Sequence, residues 1–345
     1  MKKLGNLLSL LLFAFLAFTQ VGAIESKVSM ELWNRYTVNL NNTEISKSYF
    51  SLERGYLGIE PTFSDKIKGR FTLDFFSSDK FEDGVGIKMK YAYLDFAMPI
   101  QDMSFQAGLI KTYFGTIYDW SYATIQKSFD DKEKIVSSAD YGMSFNGLIP
   151  SGFGEYGLSI CNGEGYNKIG GDIDANTAFA VNLRLIPLTG ITVGGSVIYE
   201  DHSLLVDADT SVSDTVRLAY TGVGRVAFGF FDIWAQYAAK DIDGSTGAGF
   251  MVMPLIKLNK ISPAVDAELV GRYDTFDKNT DADETDDSYS RIVAGFNWNL
   301  FRNTDDGKPM VFVQTNWERT MYEDTTKDAT DNVAVQLRYL FSGKM

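Results

Sequence analysis

The sequence predicts an all-β chain closed into a transmembrane antiparallel β-barrel of about sixteen strands. Three observations lead there. Apolar and polar residues alternate along most of the chain: Lys66, Lys68, Arg70, Thr72 and Asp74 share one parity, and Ile67, Gly69, Phe71, Leu73 and Phe75 the other. That two-residue period is a strand's, because successive side chains point to opposite faces. The connections alternate in kind as well. Residues 41–48, 77–86, 112–139, 161–175, 201–213, 277–288 and 323–330 are mostly long and polar, whereas 61–65, 99–102, 150–152, 187–190 and 229–232 are short and marked by Pro or Gly. Finally, Lys2 and Lys3, the apolar run 7–18 and Val21-Gly22-Ala23 read as a secretory signal peptide. Its apolar core falls short of the roughly 20 residues a spanning helix needs. Residues 1–23 are this leader and 24–345 the exported barrel.

A soluble β-sandwich would bury the apolar face of each strand. A membrane barrel turns the same face to lipid and keeps the charged face in a wet lumen. The alternating connections and the aromatic final strand favour the barrel. Composition agrees: 14% of residues are aromatic, and 31 Gly stand against 7 Pro in 345 residues. The single Cys161 forms no internal disulfide, and one histidine, His202, leaves no room for multi-histidine metal sites. A net charge of −13 argues against a nucleic-acid partner.

The elements follow in order. The first strand, 28–40, sets Met30, Leu32, Tyr36 and Val38 against Glu31, Trp33, Arg35 and Thr37. A polar loop at 41–48 precedes the return strand 49–60, and a Pro-marked turn leads into 67–75. In 86–98, apolar residues occupy both parities after Tyr91, which a β-bulge would explain. Residues 103–109 alternate cleanly before the longest irregular stretch, 112–139. Strands 141–149 and 153–160 flank Pro150, 179–185 and 191–199 flank Pro187 and Gly190, and 215–228 and 233–239 flank Gly229. Strands 249–256, 265–275, 291–300, 310–321 and 333–341 complete the set, the last carrying Tyr339 and Phe341. Trp33, Trp234, Trp298 and Trp317 suit an interfacial aromatic belt. At about 9–11 residues per tilted strand, sixteen strands use about 160 residues and leave as many for connections. A lumen of that size holds water.

Two groups of residues carry the candidate chemistry. Lys66, Lys68 and Arg70 sit across a hairpin from Lys88 and Lys90; pointing inward, they would line one wall with cations and raise the local anion concentration. Arg184, Arg217 and Arg291 extend the basic lining around the barrel, with Arg35, Arg272 and Arg338 on the same faces. The segment 112–139, the third loop at its end of the barrel, follows Lys111 and carries Tyr113, Tyr118, Trp120, Lys127, Lys132 and Lys134. A loop so long and aromatic needs somewhere to bury its rings, and folding inward to narrow the pore would do that. Catalysis has weak support: His202 stands beside Glu200 and Asp201 with no recognisable nucleophile. The acidic run Asp277, Asp281, Asp283, Glu284, Asp286 and Asp287 lacks EF-hand spacing, so no metal or cofactor is expected.

Leu52-Glu-Arg-Gly-Tyr-Leu-Gly-Ile-Glu60, Tyr91-Ala-Tyr-Leu-Asp-Phe96 and Gly108-Leu-Ile-Lys-Thr-Tyr-Phe-Gly115 resemble successive strands of the phosphate-selective porin O/P family. The resemblance is clearest over residues 49–150. It implies a homotrimeric porin whose third loop enters the lumen and whose basic residues guide anions. Two positions depart from the family pattern: Tyr113 stands where proline is common, and Glu53 where a second basic residue would precede Arg54. The expectation is a bacterial outer-membrane porin passing small hydrophilic solutes or ions, set in lipid and lipopolysaccharide. The alternative is a non-transporting barrel acting as an adhesin or structural surface protein.

Overall fold

The computed structural model describes residues 25–41, 43–78, 80, 84–168, 177–201, 216–281, 285–303 and 307–344. The leader at 1–23, His202 and, in the acidic run, Asp283 and Glu284 lie outside the described residues. Sixteen strands close into one antiparallel barrel. They are β1 (Glu25–Asn41), β2 (Glu44–Ser64), β3 (Ile67–Ser77), β4 (Val85–Ala97), β5 (Met103–Lys111), β6 (Ala139–Ile149), β7 (Gly154–Cys161) and β8 (Ala178–Leu188). The second half comprises β9 (Ile191–Glu200), β10 (Arg217–Phe228), β11 (Phe231–Ile242), β12 (Ser245–Lys257), β13 (Ala267–Asp277), β14 (Tyr289–Arg302), β15 (Pro309–Tyr322) and β16 (Thr330–Lys344). Each strand pairs with its sequence neighbours. β1 closes on β16 from Lys27 opposite Lys344 to Asn41 opposite Thr330. Closure pairs both edges of the sheet, the condition for a β-structure in hydrocarbon.

The two parities separate as the alternation requires. Phe71, Met89, Leu94, Met143, Val181 and Leu269 are exposed on the outer surface, a lipid-facing band. Arg70, Thr72 and Asp74 point inward.

Two local departures come from the chain itself. The polar stretch 41–48 is no loop: β1 and β2 continue pairing to Asn41 opposite Glu44, because an extended hairpin satisfies backbone groups that a long loop would leave to water. The irregularity in the fourth strand is a bulge at Lys90. Thr72 pairs with Tyr91 but Leu73 with Met89, so Lys90 is the extra residue, and both it and Tyr91 turn into the lumen. A second bulge at Glu53 sets Arg54 opposite Trp33 and Leu52 opposite Asn34.

The belt reading fails for two of the four tryptophans, which face the lumen. Trp298 and Trp317 are exposed outside, whereas Trp33 is buried in the lumen and Trp234 stacks there under Arg225. Trp33 shares the parity of Arg35 and Thr37, and parity decides which way it faces.

The interior is divided. On β8 to β13 a set of small or apolar residues faces inward among the polar ones, including Ala178, Ala180, Ala219, Ala238, Met251 and Met253. Phe114, Phe129, Ile135 and Val136 of the β5–β6 connection cover them in a single buried cluster. Each such ring or branched chain contributes about 2 kcal/mol by leaving water. The walls from β16 through β1 to β4 are polar and charged.

Candidate lumen site

The β5–β6 connection, 112–138, lies inside the barrel and reaches the far wall. At its start the Gly115 amide donates to Ser196 Oγ on β9 (3.0 Å), and the Gly115 carbonyl accepts from Arg184 on β8. Further along, Thr116 Oγ1 donates to Gln236 on β11 (2.9 Å), and Arg272 on β13 donates to the Lys127 carbonyl (2.7 Å). Asn297 on β14 donates to the Ala123 carbonyl (2.7 Å), and Gln314 on β15 to that of Tyr122 (2.8 Å). A single-turn helix, α1 (Phe129–Lys132), is capped by the Ser128 side chain, which accepts from the Asp131 amide.

Two buried polar clusters fasten α1. Asp130 is fully buried and accepts from the Thr116 amide (3.1 Å) and from Gln236 Nε2 on both oxygens (2.7 and 2.8 Å). Burial disfavours its charged form and raises the carboxyl to about 6. Glu133 pairs with Arg291 (2.6 Å) and accepts from the Tyr289 hydroxyl; Arg291 also meets Asp274 (3.3 Å), which is chelated by Arg272.

Between this connection and the charged wall lies a chamber of about 580 Å³. Seven Lys or Arg residues line it against four Asp or Glu, in a chain whose net charge is −13. Rings support the cations. Arg54 lies over Trp33 (4.2 Å), Tyr56 (4.6 Å) and Tyr122 (4.8 Å), and Arg338 covers Trp33 at 4.3 Å. Arg70 stacks on Tyr91 at 4.6 Å, and Lys90 sits 4.3 Å above Tyr166 while bonding Ser138. Arg338 pairs with Glu31 (2.9 Å) and Lys88 approaches Asp74 (3.7 Å). Among the described residues, Arg54, Lys90 and Lys111 line the chamber without an ion-pair partner.

The sequence-derived candidates distribute unevenly. Arg70, Lys88, Lys90, Lys111, Tyr118, Trp120 and Lys127 line the chamber. Lys68 lines a second cavity of about 350 Å³, with Glu60, Asp95 and Lys344. Lys66 occupies the β2–β3 turn rather than the wall, since pairing resumes only at Ile67. Arg184, Arg217 and Arg291 face inward but are not open lining. Arg184 pairs with Asp119 and Glu155, Arg217 with Glu200, and Arg291 with Glu133, because cations facing the filled half of the lumen need counter-charges. Tyr113 packs against Tyr118, and Lys132 and Lys134 are exposed on the connection.

Sequence reasoning passed over Arg54, Tyr56 and Tyr122 as site residues. Arg54 and Tyr56 share the lumen parity of β2 only after the bulge at Glu53, and Tyr122 belongs to an irregular segment without periodicity. No group of three metal-ligating side chains occurs among the described residues.

A closed barrel with an apolar outer band and a polar, loop-filled interior belongs to the outer-membrane β-barrel class. No protein-family model matches the chain, and no curated protein matches it. Solved structures do. A trimeric form of OmpT, an outer membrane protein of Vibrio cholerae, aligns at a TM-score of 0.60 and 12% identity over 92% of this chain and 99% of its own. OprB of Pseudomonas putida aligns at 0.66 and 9% identity, covering 92% and 94%. The outer membrane protein OpdK of Pseudomonas aeruginosa aligns at 0.56 and 10%, covering 92% and 99%. At such identities the likeness is one of fold. It supports the porin-type architecture, while the narrower resemblance to phosphate-selective porins is carried by none of these matches.

Proposed function

We propose that the protein is a bacterial outer-membrane porin through which small hydrophilic solutes diffuse passively, with anions preferred. The observation that carries this reading is the chamber's set of cations without an ion-pair partner among the described residues, Arg54, Lys90 and Lys111, in a strongly acidic chain. Fixed positive charge beside low-dielectric walls concentrates anions and repels cations. The inward connection 112–138 narrows the lumen and brings permeating solutes against that wall. No covalent step is involved. By analogy with the trimeric form of OmpT, the assembly proposed is a homotrimer.

Zero-current potentials in a salt gradient test the reading. Wild-type protein in a planar bilayer is expected to give a potential of the sign set by anion flow. Replacing Arg54→Gln, Lys90→Gln and Lys111→Gln together should bring it to zero or reverse it. An unchanged potential would remove these residues from the conducting path. Folded protein that shows no conducting steps would return the barrel to a non-transporting surface role.

A further inference from the structure

We propose that the chamber is a saturable site for a planar aromatic carboxylate, an inference that rests on the porin reading and names its solute class. Three features of the lining point there.

The first is size. About 580 Å³ falls within the range of small-molecule sites, roughly 300–1,000 Å³, and an inorganic anion would fill only a fraction of it.

The second is how the cations are presented. Arg338, Trp33, Arg54 and Tyr56 alternate as cation and ring at 4.3, 4.2 and 4.6 Å. A guanidinium with its faces against rings keeps its N–H edge free, and that edge matches the two oxygens of a carboxylate. Arg54 has no ion-pair partner among the described residues, so no carboxylate of the wall already occupies it.

The third is the placement of rings. Aromatic side chains of a barrel ordinarily sit outside, at the lipid interface. Here Tyr91 on the wall and Trp120 on the inward connection both line the aqueous chamber. Trp120 stands edge-on to Tyr122 at 71° with 6.4 Å between centroids, the arrangement by which aromatic groups associate. A flat ring bearing a carboxylate uses both the cations and the rings. Acetate or inorganic phosphate uses only the cations, and a neutral sugar has no charge to offer them.

Blockage of the open-channel current by benzoate, with cyclohexanecarboxylate and inorganic phosphate as comparators, decides the matter. Benzoate should block saturably and at about two- to tenfold lower concentration than cyclohexanecarboxylate, since aromatic pairing adds about that factor beyond area burial. Tyr91→Leu and Trp120→Leu should weaken benzoate block more than phosphate block, and Arg54→Gln should weaken both. A conducting channel in which benzoate blocks no better than cyclohexanecarboxylate or phosphate overturns the aromatic assignment and leaves the porin reading intact. If no current flows, tryptophan fluorescence of the folded barrel titrated with benzoate still reads the site. Absence of saturable quenching there overturns the proposal independently.

Discussion

Asp130 makes the inward connection sensitive to pH. Its carboxylate is fully buried and held by amide donors, with no cation against it. A carboxyl raised to about 6 binds its proton more tightly in the folded state than in the unfolded one. The cost of ionising it is absent below about pH 4, grows as pH rises through about 6, and persists above that. Relative to Asp130→Asn, wild-type protein should therefore gain up to about 3 kcal/mol of stability between about pH 7 and pH 4. Thermal unfolding of both proteins across that range checks it, and parallel pH profiles would show the carboxyl to be unshifted. Gly115, beside it, has φ +50°, and a Cβ there would stand 2.4 Å from Asp130 Oδ2 and 2.7 Å from Gln236 Nε2. Gly115→Ala should cost about 2–4 kcal/mol from strain and overpacking and raise open-channel current noise as the connection loosens.

At the scale of elements, legibility followed periodicity. Each strand announced itself because its parities face two different media, lipid and water, and one-residue slips are penalised along its whole length. Even the bulge at Lys90 left a trace, as apolar residues on both parities after Tyr91. The inner wall of β8 to β13 was harder to interpret. Ala178, Ala238 and Met251 look out of place on a lumen face until Phe114 and Phe129 are seen to cover them. The arginines opposite the connection misled for a related reason. Parity gives a side chain's direction, while its pairing with Glu133 or Asp119 depends on a segment that has no period. The anchor formed by Glu133, Arg291 and Asp274 can be tested as a unit. Arg291→Met leaves Glu133 buried without its cation, which should cost about 3–5 kcal/mol; adding Glu133→Gln should recover part of that loss. Thermal unfolding of the two single variants and the double variant measures the coupling. Simple additivity would show that the pair does not hold the connection.

For the whole molecule, the decisive property is the separation of charge between chain and chamber. The chain carries −13 overall, and its chamber is lined by more cations than anions. Net charge alone would predict a cation-attracting surface, and this is where composition was a poor guide to the site. A permeating ion responds to fixed charges within about a Debye length, roughly 10 Å at 0.1 M salt and 3 Å at 1 M. At low salt, ions entering the mouth still feel the acidic loops. At intermediate salt those are screened, and the chamber's cations act at contact distance inside a narrowed, low-dielectric passage. The anion preference proposed above should therefore rise as salt increases from about 0.01 M to about 0.1 M, then decline toward 1 M as screening reaches the chamber walls. Zero-current potentials at a fixed concentration ratio over that range measure it. A preference that falls monotonically from the lowest salt would mean that the acidic exterior does not oppose the chamber. A preference independent of salt would mean that selection comes from the width of the passage and not from Arg54, Lys90 and Lys111.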